Sequence, residues 1–187
     1  EIVCGVAVKG LESQQEIKGG RTSVNGVLEP FVELAAFSRD RGKKYLKAAH
    51  RQLQTQSLRV RLKASVVIVV SNYSKCIYAV AGNSRLYHFR NGVLVHRSND
   101  QSLAQELMNE KNRSFEINQH EEKSNLLNYL GKPTDFMPFV SKKLKLVDGD
   151  VLLLTTPGFW EDVNEVEMAD ALEFAKDPIQ YTDLLEE

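Results

Sequence analysis

The sequence predicts an α+β fold built from antiparallel strands. Three observations carry this. Strand-like segments cluster between residues 64 and 96 and are joined by turns too short for anything but hairpins. Helical patterns lie before and after that cluster instead of alternating with single strands. The 187 residues, with 42% apolar and 26% charged side chains, suit one domain with a sizeable core.

The elements follow in order. Ile2 to Val8 is apolar and predicts a strand ended by Lys9-Gly10. Leu11 to Gly20 is polar and glycine-paired, a loop. Arg21 to Phe37 repeats Val24, Val27, Leu28, Phe31, Leu34 and Ala35 at helical spacing, with Pro30 as a kink or break. Asp40 is placed to cap a helix reaching about Gln54, with Tyr45, Ala48, Ala49 and Leu53 inward.

Ala64 to Val70 is rich in β-branched residues, so it reads as a strand covered on both faces. Asn72 to Lys75 is a turn. Cys76 to Ala81, Arg85 to Arg90 and Val93 to His96 are strands, separated by Gly82-Asn83-Ser84 and by Asn91-Gly92, a strong hairpin signal. Asp100 opens a helix through Leu103, Leu107 and Met108, and Gln119 to Leu130 predicts another, stopped by Gly131 and Pro133. Val140 to Leu146 alternates as a half-exposed strand, Asp148-Gly149-Asp150 turns, and Val151 to Leu154 is a buried strand. Helices over about Glu165 to Ala175 and Pro178 to Leu185 complete the chain.

Composition narrows the function. A formal charge of −1 argues against general affinity for nucleic acid or anionic membrane. No apolar run reaches the roughly 18 residues of a membrane span. Two cysteines, Cys4 and Cys76, are too few for a disulfide framework and read as buried thiols in a reducing cytoplasm. The given chain shows no signal-peptide pattern, and without an initiator Met it reads as a fragment or the ordered part of something longer.

The most informative segments are Ala81-Gly82-Asn83-Ser84-Arg85-Leu86-Tyr87 and Thr155-Thr156-Pro157-Gly158-Phe159-Trp160-Glu161-Asp162. The first resembles the G-D-S-R turn of the type 2C, metal-dependent PPM-type Ser/Thr protein phosphatases, and the second resembles their S-D-G-L-W-D turn. Asn91-Gly92, Asn99-Asp100-Gln101-Ser102-Leu103 (against T-x-D-H-S), Leu130-Gly131 and Gly149-Asp150-Val151-Leu152-Leu153-Leu154 follow in that family's order. The resemblance covers about residues 60–187, and 1–60 more weakly. It implies a bacterial-type α-β-β-α sandwich, two antiparallel sheets flanked by helices, over a single domain 1–187 that lacks terminal strands.

That family's chemistry resembles two-metal hydrolysis of phosphoserine or phosphothreonine, with carboxylates holding Mg²⁺ or Mn²⁺. Here the acidic positions are altered. Lys9-Gly10 stands at the D-G end of the first strand, Asn83 replaces the Asp of G-D-S-R, and Pro157 replaces the Asp before Gly158. Proline offers no side-chain oxygen, and a protonated lysine repels a cation while supplying its charge. The resemblance thus implies degenerate metal-site positions at Lys9, Gly10, Asn83, Pro157 and Gly158, no catalytic residue and no cofactor. Arg85 and Lys9 are candidate anion ligands.

The expected role is a pseudophosphatase: a cytoplasmic regulatory or signalling module whose partner is a protein, with a phosphorylated protein or a kinase as candidates. Two alternatives stand. One is a divergent Mg- or Mn-dependent phosphatase drawing ligands from Glu12, Glu16, Glu161 or Asp162. The other is a structural oligomerisation domain with its cleft plugged by side chains such as Lys9. Other candidates read more simply. His50 lies beside a helix face, and His120-Glu121-Glu122 lacks the second His of a zinc helix. Lys142, Lys143 and Lys145 suit a solvated strand edge, Trp160 a core anchor, and Ser84 has no sequence neighbour to activate it.

Overall fold

The computed structural model describes residues 3–11 (backbone only), 39–56, 62–71, 74–110 and 121–186. Two antiparallel sheets stack face to face with helices outside both. The first is ordered β1 (Val3–Leu11), β2 (Lys63–Ser71), β3 (Lys75–Ala81), β6 (Phe139–Val140), with β7 (Leu144–Lys145) also on β3. The second is ordered β5 (Val93–Arg97), β4 (Arg85–Arg90), β8 (Asp150–Thr155). Strand periodicity sorts the side chains into three layers. Ala64, Val66 and Ile68 meet Leu46, Ala49 and Leu53 of α1 (Arg39–Gln56). Val67, Val69, Tyr78 and Val80 meet Leu86, Leu152 and Leu154 between the sheets. Tyr87, Phe89 and Leu153 meet Trp160 and Met168 under α4 (Glu165–Phe174) and α5 (Pro178–Glu186).

The expected strands from 63 to 97 are present, as are the turns at Gly82-Asn83-Ser84 and Asn91-Gly92, while Asn72 and Tyr73 of the first expected turn lie outside the described residues. Asn91 and Gly92 take φ of 51° and 74°, the geometry of a tight hairpin turn. α4 starts on a capping box, Asn164 accepting from Val166 and Glu167 while Glu167 accepts from the Asn164 N–H.

Several expectations are corrected. β1 does not stop at Lys9-Gly10 but continues to Leu11, because Lys9 and Gly10 pair with Ser65 and Ala64. In α1 Ala49 and Leu53 are buried and Tyr45 packs beside them as expected, but Leu46, fully buried, takes the inward place expected of Ala48, which is exposed. Asp40 sits within the first turn instead of capping it. α2 (Leu103–Glu110) begins three residues later than expected, since Asp100 is drawn away to Arg85. The helix expected over 119–130 is absent from 121 onward. After a 3₁₀ turn at Glu121–Ser124 the chain pairs with distant backbone: Leu127 N–H donates to Gln101 O (2.9 Å) and Leu130 N–H to Ala64 O (2.9 Å). These tertiary bonds take the donors a helix would need. Val140 to Leu146 is split into β6 and β7, and β8 is half-exposed rather than buried. A single helical turn, α3 (Pro157–Trp160), was not expected. The loop and the Pro30 helix expected between 12 and 37 lie outside the described residues.

Two histidines make the fold acid-sensitive. His50 is buried, stacks on Phe136 (centroids 4.2 Å apart) and accepts the Gly131 N–H at Nδ1 (3.2 Å). His96 shares a hydrogen bond with Tyr78 Oη (2.9 Å). Burial lowers both imidazoles, helped by Arg51 at His50 and by His88 at His96. A pKa below the unfolded value of 6.5 means stability is fully present above pH 6.5 and is lost as pH falls through the folded values. Urea midpoints are therefore expected to drop between pH 7.5 and pH 5, with a shallower drop in His50→Gln. A flat profile over that window would contradict the burial of both rings. Below about pH 4 a further loss sets in, since Arg90 holds the Asp150 carboxyl beneath its ordinary range.

Candidate degenerate metal site

The register of the two sheets brings the altered positions to one rim. Arg85 pairs with Thr155 across β4 and β8, which leaves Asn83 and Pro157 each two residues beyond the paired ends. Trp160 of α3 closes the gap, its indole N–H donating to the Asn83 carbonyl (2.9 Å). In the other sheet Lys9 is the register partner of Ser65. The buried Ser65 hydroxyl accepts the N–H groups of Asn83 (2.9 Å) and Ser84 (2.6 Å) and bonds to the Ser84 hydroxyl (2.8 Å).

Gly82 is required at this turn. Its φ is 97°, and a Cβ there would collide with the Ser65 side chain. The turn is also clasped from α2's side: Gln101 donates its N–H to Gly82 O (2.8 Å) and accepts the Gly82 N–H at Oε1 (3.2 Å). Pro157 is buried at the first position of α3, where its missing N–H costs nothing, and Gly158 is exposed with open space at its Cα.

Arg85 is fully buried. Its Nε and Nη2 donate to Oδ1 and Oδ2 of Asp100 (2.8 and 2.7 Å), Nη1 donates to Tyr87 Oη (3.1 Å), and its guanidinium stacks 3.5 Å over the Trp160 ring. With side chains 0% and 1% exposed, the pair is sealed from solvent. The planar fork that the sequence offered to an anion is thus spent on Asp100. Sequence reading missed Ser65, and it placed Asp100 and Gln101 in one matching motif without assigning either a partner.

Two hard divalent cations need several anionic oxygens. Asn83 brings a neutral amide, Pro157 brings nothing, and both Asp100 oxygens are held by Arg85. These residues do not fit a carboxylate-held metal pair. Of the alternative ligands, Glu161 faces Lys123 (3.5 Å), Asp162 is exposed, and Glu12 and Glu16 lie outside the described residues. Ser84 is buried with Ser65 as partner, and Trp160 is the fully buried anchor expected of it. Lys142, Lys143 and Lys145 are exposed at the β7 edge. Cys76 is buried, and burial followed by the Asp150 charge pushes its thiol to about 11, so it stays protonated.

No protein-family model matches the sequence, and no curated protein does. Solved structures do. The S. agalactiae serine/threonine phosphatase superposes with a TM-score of 0.82 at 19% identity, over 99% of this chain and 80% of that one. PppA, described as a key regulatory component of the type VI secretion system in Pseudomonas aeruginosa, gives 0.75 at 21%, over 98% and 77%. The catalytic domain of the serine/threonine phosphatase PstP, bound to two manganese ions, gives 0.68 at 14%, over 100% and 91%.

Proposed function

We propose that this chain, which has the fold of the PPM-type serine/threonine phosphatases, is a phosphatase-like domain without the catalytic metal pair. It acts as a cytoplasmic protein-binding or regulatory module and works as one domain over 1–187. One observation carries this reading. The fold sets Asn83 and Pro157 side by side at one rim, and Lys9 in register with the serine that holds that rim. The positions the sequence marks as altered are therefore neighbours in space, as a lost site requires and scattered substitutions would not give. In the fold's active members a metal pair supplies activated water and charge stabilisation. Here the positive charge of Lys9 is proposed to take over that of the metals, leaving a rim that binds a phosphorylated protein or a kinase without hydrolysis.

A neutral amide at Asn83, a proline at 157 and an Asp100 carboxylate engaged by Arg85 favour binding over a divergent phosphatase. A calorimetric Mn²⁺ titration, run beside p-nitrophenyl phosphate turnover, tests the reading. The expected result is no uptake at micromolar metal and no turnover. Uptake of two ions with turnover would establish a working phosphatase.

A further inference from the structure

The apolar surface beside this rim has a definite shape. Met137 is 75% exposed, Phe139 48% and Leu127 37%. Pro138 between the first two is buried, so the extended chain turns Met137 and Phe139 to the same, outward side. Asn128 fixes Leu127 beside them, its amide donating to Met137 O (2.7 Å) and accepting the Met137 N–H (3.2 Å). Gln101, which clasps Gly82, also donates to Met137 O (3.4 Å), so the surface is continuous with the Gly82-Asn83 turn. Apolar side chains held outward by a hydrogen-bonded frame are costly to display unless something covers them.

Charge distinguishes the two flanks. Lys142 and Lys143 are exposed beyond Phe139, while Asp135 is exposed before Met137. Phe139 also stands at the open edge of the sandwich, its ring 5.8 Å from Tyr78. β6 pairs with β3 on one side, and no strand among the described residues pairs with its other side. An extended peptide matches all three features. Its backbone runs along the edge, alternate apolar side chains meet Met137 and Phe139, and acidic side chains follow at Lys142 and Lys143.

We propose that this surface docks an extended segment of a partner protein bearing alternate apolar side chains followed by Asp or Glu. The proposal rests on the reading of the chain as a protein-binding module and names the recognition feature of its partner. The acidic end lies toward Lys142-Lys143, and the opposite direction is disfavoured by Asp135.

The test is fluorescence anisotropy on the full chain with labelled ten-residue peptides. The probe carries Phe at two alternate positions followed by four Glu. Its companions carry Gln, or phosphoserine, in place of Glu. The Glu peptide is expected to bind about tenfold tighter than the Gln peptide at low salt, and to lose that advantage as salt rises. Lys142→Glu with Lys143→Glu should abolish the Glu preference. Met137→Asp should weaken both peptides by roughly tenfold. Circular dichroism of each variant separates lost binding from lost folding. Equal affinity for the Glu and Gln peptides, binding by the phosphoserine peptide alone, or no binding by any peptide would overturn the proposal. So would a dimer, seen by sedimentation, that Met137→Asp dissolves, since the occupant would then be a second copy. Metal uptake and turnover are read separately in the Mn²⁺ experiment, so failure of the module reading is distinguishable from failure of this surface.

Discussion

Asp100→Ala is expected to cost about 3–5 kcal/mol of folding stability, because it strands a fully buried guanidinium. Arg85 has no route to water. Once Asp100 is gone, Tyr87 Oη and the Trp160 face still touch the guanidinium, and neither carries a charge. Desolvation of the cation then loses the bidentate carboxylate that offsets it. The informative contrast is Arg85→Met with Asp100→Leu together. Removing both charges leaves no orphan, so the double variant should recover at least half of the loss. Urea unfolding followed by fluorescence measures both, and the chain's single tryptophan is the right reporter, since Trp160 lies directly under Arg85. A loss below about 1 kcal/mol in Asp100→Ala would mean that the pair is open to solvent and worth no more than a surface bridge.

The same pair explains why this rim is legible as a fold and illegible as a site. An arginine after a Gly-x-Ser turn reads on sequence as an anion ligand, because sequence shows the fork and not what fills it. The filling comes from Asp100, fifteen residues away, and sequence periodicity assigned that aspartate to a helix start. Local patterns served well where local chemistry decides structure. Asn91-Gly92 dictates its own turn by positive φ, the β-branched run from 64 to 70 forms a strand whose central residues are buried on both faces, and Asn164 with Glu167 starts α4.

They failed where distant backbone decides. Leu126 and Leu130 stand at helical spacing, yet each forms a bridge to a remote residue, Ser102 and Ala64. Nothing in residues 121–130 announces that their N–H groups have partners elsewhere. β8 shows a related limit. Its run of Val and Leu predicts full burial, but it lies at the end of the β5-β4-β8 order and keeps partial exposure. An apolar run reports which residues want cover, and strand order decides how much cover they receive.

Gly131→Ala tests that non-local segment and should destabilise the chain by about 3 kcal/mol or more. Gly131 sits at φ 85°, and a Cβ there would run into the Leu62 carbonyl oxygen. That oxygen belongs to backbone and is fixed by the next residues, which enter β2 at Lys63. The alternative is to move residue 131, and its neighbours resist. Its N–H is held by His50 Nδ1, and Leu130 is bridged to Ala64 in both directions. Left-handed strain alone is worth roughly 1–2 kcal/mol, and Gly92→Ala isolates it, since Gly92 has φ 74° with nothing within 4 Å of its Cβ. The difference between the two variants is the price of the collision. Equal losses would show that 131 is free to move and that the bridge to β2 is weak. A larger loss at 131 has a functional corollary, because residues 131–138 run between that bridge and β6. Lifting residue 131 would pull on the segment that carries Met137, so Gly131, by letting the chain pass this close to β2, helps hold the proposed docking surface in place.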